Sequence, residues 1–533
     1  MQIVYKILLL FLFCNILFAK NLAFIESKPQ GIARDFYIYE FIINNEIDLE
    51  TALKLYDLID LKSPKIMSVL KSKIPQEKLP YTLLCSSKNF DELIQSDDEC
   101  LNIGFKLDYA FNGKLDSAII DRLTSSKTKN RIKILRSKNI LDTLLKNGDG
   151  EDFNSIYFSI SKKIEIFNKA PKNLKNISNK DYSKALYHII ISNKFPKFTK
   201  ALLKANITNV NDFSFFALGL NELENGSKNK ALKYFSSVVS STKNRFLKDR
   251  ALFWQYKISA KSKYLKELAQ SEHFNLYSLY ATKKLKAVPK FQIILQDDEM
   301  FASLSEDKPP FDISNPFEWQ IISQNILQVK NRDALLDISK LFYYKETLPH
   351  FIFVINRYYN FSKNFFIMPY YDKLDFDNQT KNLVYAVARQ ESRFIPSVVS
   401  RSYALGMMQI MPFNVDNFAK EQKMENITLE SMFNPQIALQ FGAYYLNHLK
   451  KEFTHPLFIS YAYNGGPTFI RNFLKDKSNF SKKNKFEPWF SMEFIPYEES
   501  RFYGMKVMAN YIMYNEINNT PIDIDIFMKE ALH

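Results

Sequence analysis

Only 12 glycines occur in 533 residues, and that scarcity removes most of what a chain of this length could otherwise build. Runs of tight hairpins and phosphate-cradling loops depend on residues that adopt positive φ at no steric cost. An average protein supplies about 7% glycine for such places, and this one falls far short. Leu, Ile, Lys, Asn and Phe fill the chain instead, in long periodic apolar segments with few breaks. That pattern predicts an all-α protein. The length calls for more than one domain, and an aromatic share of 15% suits thick helix-to-helix packing, with most rings in the core.

A formal net charge of +15 admits nucleic acid, an anionic membrane or an acidic polymer as partner. No nucleic-acid motif is present, and the lysines are scattered along helix faces as a solvated surface would have them. At the N-terminus Lys6 precedes the apolar run from Ile7 to Phe13, which closes at Leu17-Phe18-Ala19 before Lys20. Residues 1–19 therefore read as a cleavable secretory signal peptide rather than a spanning anchor, being short of the ~20 apolar residues a span needs. No transmembrane segment is expected after cleavage. Phe13 stands where a lipoprotein would need a small residue, so Cys14 is not read as a lipid attachment site. Export leaves Cys85 and Cys100, which either close a small loop in an oxidising compartment or remain two buried thiols. Neither these nor the six histidines have metal-ligand spacing, and no cofactor is expected.

From residue 20 to 290 amphipathic helices alternate with short polar turns. One pair runs from Phe213–Gly219 through Asn225-Gly226-Ser227 to Ala231–Phe235, with Ala217 and Ala231 beside aromatics, as an antiparallel helical hairpin requires. Stacked hairpins without a strict period make an irregular α-superhelix. Pro309-Pro310 and Asn315-Pro316 then mark irregular backbone, within a smaller helical linker domain at 291–367. A last domain occupies 368–533.

In that domain Val384, Val387, Ala388 and Glu391 fall at i, i+3, i+4 and i+7, so the carboxylate lies on the apolar stripe of a helix that Asp377 or Asn378 can cap. Burial and the nearby helix C-terminus both favour its protonated form, as a working acid requires. The alternative is pairing with Arg389 or Arg393. No Asp or Glu occurs between Ser392 and Val415, so the segment offers one carboxylate where glycosidases usually place two. A second helix follows Asn434-Pro435, where Gly442 is expected to admit another backbone.

Four pieces of this domain resemble, in order and at similar spacing, the lysozyme-like catalytic domain of the soluble lytic transglycosylases, enzymes that cut the glycan strands of bacterial peptidoglycan. They are Ala388-Arg389-Gln390-Glu391-Ser392, Gly406-Met407-Met408-Gln409-Ile410-Met411-Pro412, Ala462-Tyr463-Asn464-Gly465-Gly466-Pro467, and Ile495-Pro496-Tyr497 with Glu499-Ser500-Arg501-Phe502-Tyr503. Leu276–Ala281 is similar to a segment those enzymes carry before their linker domain. The resemblance implies a periplasmic enzyme without cofactor, in which Glu391 protonates the oxygen between N-acetylmuramic acid and N-acetylglucosamine. The same group then takes the proton of the muramic C6 hydroxyl as a 1,6-anhydro ring closes. It further implies that Ser400 lies near sugar oxygens, that Gln409 and Glu499 order the cleft, and that Met407 and Met411 line subsites while Met408 fits the core. Tyr463 is implied to reach towards the acid, Asn464 to bind an N-acetyl group, and Tyr503 to close the site. Implied partners are glycan strands and other cell-wall enzymes. Two departures stand out: Tyr403 where the family commonly has Gly, and Ile395-Pro396 where Asn-Pro often follows the catalytic Glu. A hydrolase of the same bond and a non-catalytic glycan-binding scaffold are the competing readings.

Overall fold

Asn and Asp, abundant in this chain, begin its helices. Side chains of Asn21, Asp48, Asp97, Asn211, Asn275 and Asp377 each accept a hydrogen bond from a first-turn N–H that has no intrahelical partner. The computed structural model describes residues 21–111, 115–172, 174 and 182–533; the expected signal peptide at 1–19 lies outside them. Helices dominate, and among the described residues the departure from an all-α chain is one two-stranded sheet of Gln292–Leu295 and Lys363–Phe366. No helix among the described residues is long and apolar enough to cross a membrane.

The chain forms two compact units, each assembled from separated segments. The first takes in the chain up to Pro80, Leu295–Phe361 and Phe365–His448; the second comprises Tyr81–Ile294, Ser362–Asn364 and Leu449–His533.

In the second unit successive helices pack on their sequence neighbours, the organisation of a solenoid. Helices Asp212–Asn225 and Lys228–Ser241 form the hairpin expected from their small residues. Ala217 and Ala231 are fully buried, and a Cβ on Gly219 would sit 2.7 Å from the Phe235 ring. Cys85 and Cys100 are disulfide-bonded with Cα atoms 5.1 Å apart. Deeper in, Arg250 and Glu493 form an ion pair with side chains 1% and 0% exposed. Glu493 also accepts from Trp254 Nε1 at 3.1 Å, and Arg250 Nη2 reaches the Tyr187 hydroxyl at 3.1 Å. Burial of two charges is tolerated here because the Arg250 guanidinium, Trp254 Nε1 and the Tyr277 hydroxyl all donate to the Glu493 carboxylate.

In the first unit helix Ile32–Asn44 is tied to the chain that follows it by Asp35. This fully buried carboxylate accepts from the backbone of Asp60 at 2.8 Å and Leu61 at 2.7 Å. Phe317, in helix Pro316–Gln328, stacks on Tyr37 at 5.2 Å. Helix Asn378–Glu391 belongs to the same unit, as does helix Pro435–Lys450 up to His448. Gly442 does not admit a backbone, as its spacing suggested. Its missing side chain is replaced by Met408, whose methyl lies 2.3 Å from where a Cβ would stand.

Candidate active site

The helix that carries Glu391 starts at Asp377, which accepts from Thr380 N at 2.9 Å and Thr380 Oγ1 at 2.6 Å. Val384, Val387 and Ala388 are fully buried, so the predicted stripe faces the core and carries Glu391 to the last helical residue, where it is half-buried. The stop is sharper than Pro396 alone would make it. Arg393 and Phe394 both adopt left-handed backbone, φ 54° and 68°, a conformation that costs a non-glycine residue about 1 kcal/mol or more. Ser392 Oγ donates to the Met407 carbonyl at 2.7 Å and ties the helix end to the following segment. Arg389, one alternative partner for the acid, directs its Nε to the Phe365 carbonyl at 2.9 Å and lays its guanidinium 4.0 Å from the Phe366 ring centre.

The segment from Val398 to Ile410 folds on itself. Leu405 and Ile410 exchange two backbone hydrogen bonds of 2.9 Å, and Gly406 N donates to Val398 O at 2.9 Å. Gly406 sits at φ +73° with a hypothetical Cβ 1.8 Å from the Met432 carbonyl oxygen, so no side chain fits there. Gly406→Ala is expected to lose roughly 2–4 kcal/mol, the sum of the left-handed penalty and overpacking against backbone. Denaturant unfolding of the two proteins reads this difference.

Ser400 is half-buried, and its Oγ accepts from Ala404 N at 2.9 Å and Ser402 N at 3.2 Å. Gln409, at φ 51°, donates from Nε2 to Gly406 O at 2.8 Å and Val398 O at 3.3 Å. It orders the turn rather than projecting from it. Met411 is half-buried. Met407, expected beside the sugars, is fully buried, as is Met408.

Tyr463, Asn464, Glu499 and Tyr503 belong to the second unit. Helix Pro456–Gly465 holds Tyr463 and Asn464, both half-buried. Ser500 Oγ donates to Asn464 Oδ1 at 2.7 Å, and Asn464 Nδ2 donates to Glu499 Oε1 at 3.5 Å. Glu499 is exposed. Its neighbour Arg501 turns instead into the core, donating to the Glu493 carbonyl at 3.4 Å. Tyr503 is 4% exposed, packed into the 20-residue helix Glu498–Ile517.

Three residues escaped the sequence reading. Ser392 and Ser500 each orient a neighbour that was singled out, and adjacency to those motif residues was the available signal. Tyr497 is 61% exposed beside Phe469, ring centres 4.9 Å apart, and lies within the Ile-Pro-Tyr motif without having been given a task.

Residues 373–486 match the family described as Transglycosylase SLT domain. A putative soluble lytic murein transglycosylase of Haemophilus influenzae is 28% identical over 157 residues, covering 29% of this chain and 26% of that protein. The soluble lytic murein transglycosylase of Escherichia coli K12 is 31% identical over 126 residues, covering 23% of this chain and 19% of that protein. The matched stretch thus spans about a quarter or less of these relatives' own length. Among solved structures, the 70 kDa soluble lytic transglycosylase of Escherichia coli compares with a TM-score of 0.49 and 15% identity, over 95% of this chain and 84% of that one. The Glu391 helix, the Gly406 turn and the helix that holds Tyr463 and Asn464 all fall inside residues 373–486, which form a transglycosylase SLT domain of the kind found in soluble lytic transglycosylases.

Proposed function

We propose that this chain is an exported peptidoglycan lytic transglycosylase that cleaves the β-1,4 bond from N-acetylmuramic acid to N-acetylglucosamine and leaves a 1,6-anhydro end. One observation carries the reading: between Asn378 and Val415 Glu391 is the single acidic residue, half-buried at the end of its helix. A hydrolase working with paired carboxylates needs a second one about 5–9.5 Å away, as nucleophile or as base for water. A lone acid suffices when the substrate brings its own nucleophile.

The proton accounting then closes on one side chain. Glu391 as carboxylic acid gives its proton to the glycosidic oxygen while the bond from that oxygen to muramic C1 breaks. The resulting carboxylate removes the proton from the C6 hydroxyl as O6 bonds to C1, which regenerates the acid and consumes no water. Ser400 is the proposed contact to sugar oxygens, and Met411 to a pyranose face. Asn464, held by Ser500, is the proposed partner of an N-acetyl group, and exposed Tyr497 a stacking surface for a sugar ring. Gln409 acts on the turn. The net charge of +15 favours a polymer bearing carboxylates. Periplasmic location follows from the proposed signal peptide, and nearness to other wall enzymes from the shared substrate.

Digestion of purified sacculi followed by mass analysis of the products tests this directly. Anhydro-ended muropeptides, lighter by one water than reducing-ended ones, are expected. Reducing ends would mean a lysozyme-type hydrolase, and glycan binding without release would mean a scaffold.

A further inference from the structure

Tyr403 stands where the resembling family commonly has glycine, and it keeps a glycine-like backbone, φ 67°. A tyrosine held there must be compensated by what its ring touches. That ring is 2% exposed. It packs against two residues one helical turn apart on Ile32–Asn44, with ring centres 6.0 Å from Phe36 and 5.2 Å from Tyr39. Lys65, on helix Pro64–Lys71, lies over both tyrosines, its Nζ 4.8 Å from the Tyr403 ring centre and 4.7 Å from that of Tyr39. The same ammonium donates to the Ser402 carbonyl at 3.0 Å. Asp35 in turn binds the two helices' connecting chain at Asp60 and Leu61, so the aromatic pair and the lysine are presented together.

The residues gripped in this way are those that fold around Ser400. Tyr403 N donates to Ser400 O at 2.9 Å and Ser400 N donates to Ala404 O at 3.0 Å, while the Ser400 hydroxyl accepts from the amides of Ser402 and Ala404. Few of these contacts would hold an exposed turn still by themselves, since each competes with water. Anchoring the turn's central side chain in an aromatic slot removes that freedom.

We propose that Tyr403 is a positioning residue, and that helices Ile32–Asn44 and Pro64–Lys71 act through it as a clamp that fixes the Ser400 loop for the glycan. This goes beyond the reaction proposed above and rests on it for the identity of the ligand. The clamp also explains how a tyrosine keeps this turn: its left-handed backbone is held from outside.

The test uses the full chain and five proteins: wild type, Tyr403→Gly, Tyr403→Phe, Ser400→Ala and the Tyr403→Gly/Ser400→Ala double variant. Tyr403→Gly relieves the backbone while deleting the ring, so a loss cannot come from added strain. Hydrogen exchange at the Ser402 and Ala404 amides should quicken at least about 10-fold in Tyr403→Gly and stay near wild type in Tyr403→Phe. Turnover of sacculi should fall about 10- to 100-fold in Tyr403→Gly, mainly in kcat, as expected for a misplaced contact. It should fall little further when Ser400 is already Ala, because the two act as one unit. Unchanged amide exchange in Tyr403→Gly overturns the clamp whatever the reaction is. Additive losses in the double variant overturn the route through Ser400. If wild type releases reducing ends, the reaction reading fails, while exchange and total glycan release still judge the clamp.

Discussion

Glu391→Gln protein should fold as the wild type does and release no anhydro-ended products. The amide matches the carboxyl in shape, and the residue ends its helix half-buried rather than in the core. What disappears is the proton. A positioned general acid or base contributes about 10²–10⁴-fold to each step it serves, and the proposed cycle uses this group once in each direction. A loss of about 10²–10⁴-fold is therefore expected, set by whichever of the two steps limits turnover. Product analysis at equal folded concentration reads it, together with a sacculus pull-down showing that glycan binding persists. Undiminished turnover would leave the proposed reaction without its acid.

The second large effect is on stability. Arg250→Met or Glu493→Gln should each destabilise the second unit by about 3–5 kcal/mol, since each leaves the other partner buried without its counter-charge. Both side chains are at most 1% exposed, so water cannot stand in for the missing partner. The Arg250 guanidinium also lies 4.2 Å from the Phe216 ring centre, and a methionine there keeps much of that packing. Combining Arg250→Met with Glu493→Leu should recover part of the loss. Recovery stays incomplete because Trp254 Nε1 and the Tyr277 hydroxyl lose the oxygen they now share. Urea unfolding of the three variants, followed by Trp254 fluorescence, measures the series. Near-wild-type stability of either single variant would mean the pair is not buried as described.

Some of this architecture was legible before any coordinates. Asp377 could be named as a cap because the cap lies within one turn of what it satisfies. The hairpin from Asp212 to Ser241 was readable from Ala217 and Ala231 because helix-to-helix contact across a short turn selects small residues locally. Glu391 was legible as a stripe residue for the same reason. Gly442 was misread, since a missing side chain announces a close neighbour without saying whether that neighbour is backbone or, as here, Met408. The burial of Met407 was not legible, since it sits in a turn with Tyr403 and Gln409 at positive φ, and non-glycine residues at positive φ carry no reliable mark in a sequence.

Helix periodicity, caps and the run of motif residues around Glu391 are properties of neighbours along the chain, and for them the order of amino acids was enough. Arg250 and Glu493 stand 243 positions apart, and Lys65 and Ser402 stand 337 apart. Nothing in the order of residues says that one pair shares a buried site and that the other closes over the Ser400 turn. Burial and charge pairing are relations in space between distant segments. They acquire an energy only once packing has excluded water from between them.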